Sequence, residues 1–280
     1  MFPTKIQNIL NKKNAGQKIV TLTAYDYPLA VIVDNGGVDI ILVGDSLANV
    51  VLGLPSTRDV GMAEMIHHTK AVTRAVKNAL VVGDMPYSAY QIKPADAVKN
   101  AKSFVKAGCG AVKIEWFDKC LSVTKKIVKA GIPVMGHVGL TPQTAEKLGG
   151  FKVQGKEAQA AGKILQQAVA LEKQGCFSIV LECIPDKLAE IITQSLKIPT
   201  IGIGAGPLCD GQVLVTHDML GLVSRFHPRF AKQYVNLGER IADGVRAFSD
   251  DVKSGRFPDA AHSFSMAPEE WEKMKKGLKG

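Results

Sequence analysis

The chain has 280 residues, 46% hydrophobic and 22% charged, enough apolar side chain for a large core and the wrong balance for a disordered or collagen-like protein. Lys and Arg total 35 against 26 Asp and Glu, a net charge of +9 that favours anionic partners. The excess is scattered in small groups such as Lys125, Lys126 and Lys129, without aromatic interleaving, so nucleic-acid binding is not expected.

No run of about 18 uncharged apolar residues occurs, and the start, with Lys5, Lys12 and Lys13, lacks an apolar signal core. Neither a membrane span nor secretion is expected. The five cysteines, Cys109, Cys120, Cys176, Cys183 and Cys209, contain no Cys-x-x-Cys pair. They suggest neither a disulfide framework nor a zinc site, and they suit a reducing cytoplasm.

In chain order, Ile6, Ile9 and Leu10 have the spacing of an amphipathic helix able to close the bottom of a barrel. Eight short β-branched runs follow, at 18–23, 38–43, 79–83, 111–115, 132–136, 177–182, 198–203 and 219–223. Between most of them lie segments with helical periodicity, including 94–107, 119–130, 157–174 and 187–196. Strict alternation of strand and helix predicts a parallel sheet. Eight such units without a linker of Pro, Ser or charge predict a single closed (β/α)8 TIM barrel, α/β in class. The barrel domain is expected to span 1–262, with 263–280 a helical tail. That tail opens on Ala267-Pro268-Glu269-Glu270 and sets Trp271, Met274 and Leu278 on one stripe. The stripe suits packing on its own barrel or docking on a neighbouring subunit.

In such barrels the chemistry sits at the C-terminal ends of the strands. Polar residues recur there: Asp45 and Ser46 after the second strand, Asp84 after the third, Lys113 and Glu115 on the fourth, His137 after the fifth, Glu182 at the sixth. A single acid there could be a helix cap; five consecutive strands converging polar groups point to a site. Asp45 and Asp84, with Glu115 as a third acid, suit a hard divalent cation, Mg²⁺ before Zn²⁺. Lys113 and Glu115 are two apart on a strand and share a face. Lys113 needs an anion there, either Glu115 alone or a substrate carboxylate as well. Ser46 could hold the same substrate group. Glu182 ends the apolar run Ile179-Val180-Leu181, a setting that suits a general base; the alternative is a structural carboxylate paired with His137. Gly202, Gly204 and Gly206 lack the dinucleotide fingerprint because Pro207 takes the final position. Close packing against substrate or phosphate are both open for this loop.

Read with their neighbours, these residues resemble the ketopantoate hydroxymethyltransferase family. The resemblance rests on Thr23-Ala24-Tyr25-Asp26-Tyr27, Leu42-Val43-Gly44-Asp45-Ser46-Leu47, Val112-Lys113-Ile114-Glu115, Gly136-His137-Val138-Gly139-Leu140-Thr141-Pro142-Gln143, Gly149 to Gly155, Leu181-Glu182-Cys183-Ile184-Pro185, and Ile201 to Gly206 with Asp210-Gly211-Gln212. Their order along one chain makes it specific. The resemblance implies a barrel of the phosphoenolpyruvate/pyruvate class and Mg²⁺ around Asp45, Asp84 and Glu115. It implies substrate held by Asp45, Ser46, Asp84 and Lys113, with Glu182 as catalytic base; His137 is expected to hydrogen-bond either Glu182 or the developing oxyanion. It further implies hydroxymethyl transfer from 5,10-methylenetetrahydrofolate to 3-methyl-2-oxobutanoate, and a large homo-oligomer, a decamer by family. The family commonly has glycines where this chain has Trp116-Phe117. A different Mg²⁺-dependent 2-oxo acid lyase or mutase on the same barrel, or a non-catalytic anion-binding protein, are the alternatives.

Overall fold

Eight short strands, β1 Ile19–Thr23, β2 Ile40–Val43, β3 Leu80–Asp84, β4 Ala111–Glu115, β5 Val134–Gly139, β6 Ser178–Glu182, β7 Thr200–Ile203 and β8 Gly211–Leu214, pair in parallel in sequence order. β1 also pairs with β8, closing the barrel. The computed structural model describes residues 4–222 and 228–278. Helices follow the strands as the alternation predicts, except that α1 precedes β1 and none follows β7: α1 Thr4–Asn14, α2 Tyr27–Asn35, α3 Leu47–Val50, α4 Met62–Ala75, α5 Ala97–Lys106, α6 Cys120–Lys129, α7 Ala158–Lys173, α8 Asp186–Ser195, α9 Thr216–Met219, α10 Leu237–Lys253 and α11 Pro268–Gly277. No described helix is long and apolar enough to cross a membrane.

Side chains alternate in and out along the strands and so create two cores. Outward residues such as Ile41, Val81, Val112, Ile114, Val134 and Ile179 meet the helices, while Ile40, Leu80, Val82, Ala111, Met135 and Val180 fill the barrel. Ile6 and Ile9 of α1 join the inner cluster. Burying each contributes about 1.5–3 kcal/mol, which is why a largely polar segment holds as a plug at the barrel floor. On the outer side Gly83 has no room for a side chain, since a Cβ would lie 2.3 Å from the Phe104 ring. That gap lets α5 approach the sheet closely.

The eighth strand is not where the apolar run suggests. Met219 ends α9 instead, and Val223 of the expected 219–223 strand lies outside the described residues. The observed strand is Gly211–Leu214, reached from β7 by the short connection 204–210 with no helix between. Gly204 and Gly206 turn the chain with φ of +61° and +78°. These glycines pack against protein: a Cβ on Gly206 would lie 2.5 Å from Asp186, and one on Gly202 would lie 2.8 Å from Cys209. β5 also runs past the expected 132–136 to Gly139, so His137 lies within the strand.

Candidate active site

Strand register assembles the polar groups in adjacent pairs. Asp84 stands beside Lys113, Glu115 beside His137, and Gly139 beside Glu182. All the acids expected from sequence, with Ser46, Lys113 and His137, line one cavity of about 830 Å³ at the C-terminal mouth of the barrel. Trp116 and Phe117 pack against the outer core, Phe117 edge-on to Tyr90, and do not line it.

Lys113 is the electrostatic centre. Its Nζ lies 2.8 Å from Asp84 Oδ1 and 4.0 Å from Glu115 Oε1, so the tight partner is Asp84 and not, as the strand spacing suggests, Glu115 alone. Burial opposes the Lys113 charge, but Asp84, Glu115 and Asp45 outweigh it and lift its pKa. Burial pushes the Asp84 carboxyl up to about 8, Lys113 pulling it down and Asp45 adding to the rise. Glu115 is raised well above the ordinary range for the same leading reason, burial.

His137 lies between the two halves of the site. Its Nδ1 is 3.4 Å from Lys113 Nζ, and its Nε2 is 3.2 Å from Glu182 Oε2. Burial and then the Lys113 charge lower its pKa, favouring neutral imidazole. An ammonium can only donate, so Nδ1 accepts and the ring proton belongs on Nε2, facing Glu182. The Nε2 contact has the distance of a hydrogen bond without its alignment, as is common in unliganded sites.

Glu182 is placed by its neighbours' backbone. Gly139 has φ of +94°, and a Cβ there would lie 2.3 Å from the Glu182 carbonyl oxygen. That oxygen accepts from Leu140 N at 2.9 Å. Gly139→Ala should therefore cost about 1–3 kcal/mol of stability. By shifting the end of β6 it should also reduce turnover by about 10²-fold. A folded variant with wild-type turnover in a steady-state assay would refute this placement of Glu182. Cys183, next along, has φ of +46° and its thiol is pushed up to about 12 by burial and the Glu182 charge. It is a poor nucleophile.

Among the described residues no three or more Asp, Glu, His or Cys side chains stand together as a set placed to hold a metal ion. Asp45 and Asp84 instead make an open pair, Asp45 N donating to Asp84 Oδ2 at 3.2 Å. Glu115 Oε1 is buried without a hydrogen-bond partner. Asp84 and Glu115 thus share the Lys113 ammonium in a cavity that Asp45 and Glu182 also line. An open set of oxygen donors fits Mg²⁺, which keeps several waters and takes one or two carboxylates plus substrate oxygens, and whose charge would favour the ionised form of the buried acids.

Some participants carry no strong signal in sequence. Tyr25 shares a 2.7 Å hydrogen bond with Ser46 Oγ, and Gln143 donates from Nε2 to Asp45 Oδ2 at 2.8 Å. His68, on α4, has its Nδ1 2.6 Å from the Tyr25 carbonyl and so serves structure, as its helical position suggests. Neither Tyr25 nor Gln143 is ionised at neutral pH, so charge patterning misses both. Above the acids the mouth turns apolar and basic. Arg58 lies over the Tyr87 ring at 4.4 Å and 3.1 Å from Glu146, and Phe151, 75% exposed, stands beside Lys152.

The family model for ketopantoate hydroxymethyltransferase matches residues 3–260. The chain belongs to the ketopantoate hydroxymethyltransferase family. A relative from Clostridium botulinum (strain Langeland), named 3-methyl-2-oxobutanoate hydroxymethyltransferase, is 54% identical over 255 residues, covering 91% of this chain and 93% of its own. One of the same name from Syntrophomonas wolfei is 50% identical over 275 residues, 98% of this chain and 100% of its own. That match spans nearly the whole chain, so the family likeness extends beyond His262. In fold, the barrel is similar to 2,3-dimethylmalate lyase, a member of the PEP mutase/isocitrate lyase superfamily. The TM-score is 0.60 at 15% identity, covering 100% of this chain and 98% of that one. The family and the fold thus agree with those expected from the sequence motifs.

Proposed function

We propose that this chain transfers a hydroxymethyl group from 5,10-methylenetetrahydrofolate to C3 of 3-methyl-2-oxobutanoate, giving ketopantoate and tetrahydrofolate for pantothenate synthesis. The observation that carries the reading is the convergence of Asp45, Asp84, Lys113, Glu115, His137 and Glu182 on one cavity in a chain of this family.

Asp45 and Asp84, with Glu115 directly or through water, would hold Mg²⁺. When bound, Mg²⁺ supplies positive charge to the keto and carboxylate oxygens of a 2-oxo acid. Lys113 adds a buried ammonium for the negative charge that moves from C3 to the keto oxygen. Ser46, braced by Tyr25, orients the substrate carboxylate. Glu182 removes the C3 proton, steadied by the Nε2–H of His137. C3 then bonds to the one-carbon unit as the two carbon–nitrogen bonds of that unit to the folate break; water supplies the hydroxyl, and its remaining proton together with the one held by Glu182 goes to the two freed nitrogens of tetrahydrofolate. The apolar and basic mouth at Arg58, Phe151 and Lys152 suits the flat pterin and anionic glutamate of the folate.

The same reading assigns 1–262 to the catalytic unit and 263–280 to a tail, in a cytoplasmic homo-oligomer of decamer size. Support for assembly comes from α10, which buries none of its residues. Its Ile241, Val245, Phe248 and Val252 form an exposed stripe, and Trp271 and Met274 of α11 are exposed as well.

Proton NMR of 3-methyl-2-oxobutanoate in D₂O with enzyme and Mg²⁺, before and after adding 5,10-methylenetetrahydrofolate, tests the reaction. C3 exchange abolished by EDTA and ketopantoate formed only with folate are expected. Absence of both, with folded protein and bound Mg²⁺, would overturn the proposal in favour of another 2-oxo acid reaction.

A further inference from the structure

Gln143 is buried, with 0% exposure, and does not line the cavity, yet it hydrogen-bonds two of the acids that do. Its side chain has four hydrogen-bonding positions, two N–H and two lone pairs, and all four are filled. Nε2 donates to Asp45 Oδ2 at 2.8 Å and to the Met85 carbonyl at 3.0 Å. Oε1 accepts from Tyr90 OH at 2.7 Å and from Gln91 Nε2 at 3.1 Å. The amide therefore has one orientation: flipped, its oxygen would face the Asp45 carboxylate and the Met85 carbonyl.

The backbone of Gln143 acts on a second acid. Pro142 opens the 3-10 helix Pro142–Leu148, and the first N–H groups of such a turn have no partner within it. Gln143 N donates instead to Glu115 Oε2 at 3.0 Å. Tyr90 closes the loop, since its hydroxyl also accepts from Glu115 N at 2.9 Å. One residue from the loop after β5 thus ties the acid that follows β2 to the acid that ends β4. It does so with a neutral group, adding no charge to a site already rich in carboxylates.

We propose that Gln143 is a positioning residue that sets the Asp45 and Glu115 carboxylates for the divalent cation, with Tyr90 fixing its amide orientation. The proposal rests on the reading that these acids hold a cation. Supporting partners of this kind typically change metal affinity by about 10–100-fold when removed.

The test is Mn²⁺ affinity, measured on the full chain by electron paramagnetic resonance without substrate, for wild type, Asp45→Asn, Gln143→Met and Tyr90→Phe. Gln143→Met keeps the side-chain volume and removes both donors and both acceptors. A Kd raised about 10–100-fold in this variant is expected, with a loss of about 2–10-fold in Tyr90→Phe, which removes one hydrogen-bonding hydroxyl. An unchanged Kd in folded Gln143→Met overturns the proposal, because packing alone then accounts for the residue. Where thermal melts show that Gln143→Met does not fold, Tyr90→Phe decides, and an unchanged Kd there overturns it equally. Wild type that binds no Mn²⁺, or Asp45→Asn that binds it as well as wild type, removes the cation reading and this proposal with it. Loss in Asp45→Asn with no change at Gln143 removes Gln143 alone.

Discussion

Glu182→Gln should slow C3 proton exchange in 3-methyl-2-oxobutanoate by about 10²–10⁴-fold, the usual contribution of a positioned base. The amide is nearly the size of the carboxylate and can still meet His137, so the cavity and the Asp45–Asp84 pair should stay in place. Exchange followed by NMR in D₂O, beside Mn²⁺ affinity measured on the same variant, separates the two effects. Slow exchange with near-wild-type Mn²⁺ affinity is the expected pair of results. Retained exchange would take the proton-abstracting role away from Glu182.

Lys113→Met should have the largest effect on stability. The side chain is 5% exposed and is the only ammonium within 4.0 Å of either Asp84 or Glu115 among the described ion pairs. Removing one partner of a buried pair costs about 3–5 kcal/mol, on the order of 5–15 °C in a chain of this size. The loss should depend on pH. A carboxyl whose folded pKa lies above its unfolded value binds its proton more tightly when folded, so it favours folding at low pH and loses that contribution as pH rises through the folded pKa. For Asp84 the folded value is about 8 with Lys113 present, and removing the ammonium raises it further. The metal-free variant should therefore fall furthest below wild type at pH 8–9 and less at pH 6, where protonated carboxyls need no counter-charge. Thermal melts in EDTA at both pH values check this, and equal deficits at the two would show that the ion pair does not govern the stability.

Most of the barrel was legible because seven of its strands obey one rule, a short apolar run that follows a helix. The site was legible for a related reason: ionisable residues at strand ends are chemically conspicuous, and Lys113 and Glu115 share a face by strand periodicity alone. The eighth strand broke the rule. Gly211–Leu214 contains a polar outward Gln212 and follows β7 without a helix, so the more apolar segment beginning at Met219 outcompeted it as a pattern. Gln143 and Tyr25 escaped for the opposite reason. Their importance lies in long-range hydrogen bonds to Asp45 and Ser46, and a neutral side chain carries no sign of that partner along the chain. Similarly, the pairing of Lys113 with Asp84 belongs to the register between β3 and β4, which only closure of the sheet reveals.

In the assembly proposed above, the bare apolar stripe of α10 would tie the stability of each chain to the presence of its neighbours. If that stripe is covered only in the assembly, then the free energy of burying Ile241, Val245, Phe248 and Val252 enters through mass action, and resistance to heat rises with the logarithm of protein concentration. Dilution would then inactivate the enzyme by disassembly before any single barrel unfolds. A newly made chain would carry an adhesive helix until it met its partners, making the encounter of subunits, more than closure of the barrel, the slow and vulnerable stage of maturation.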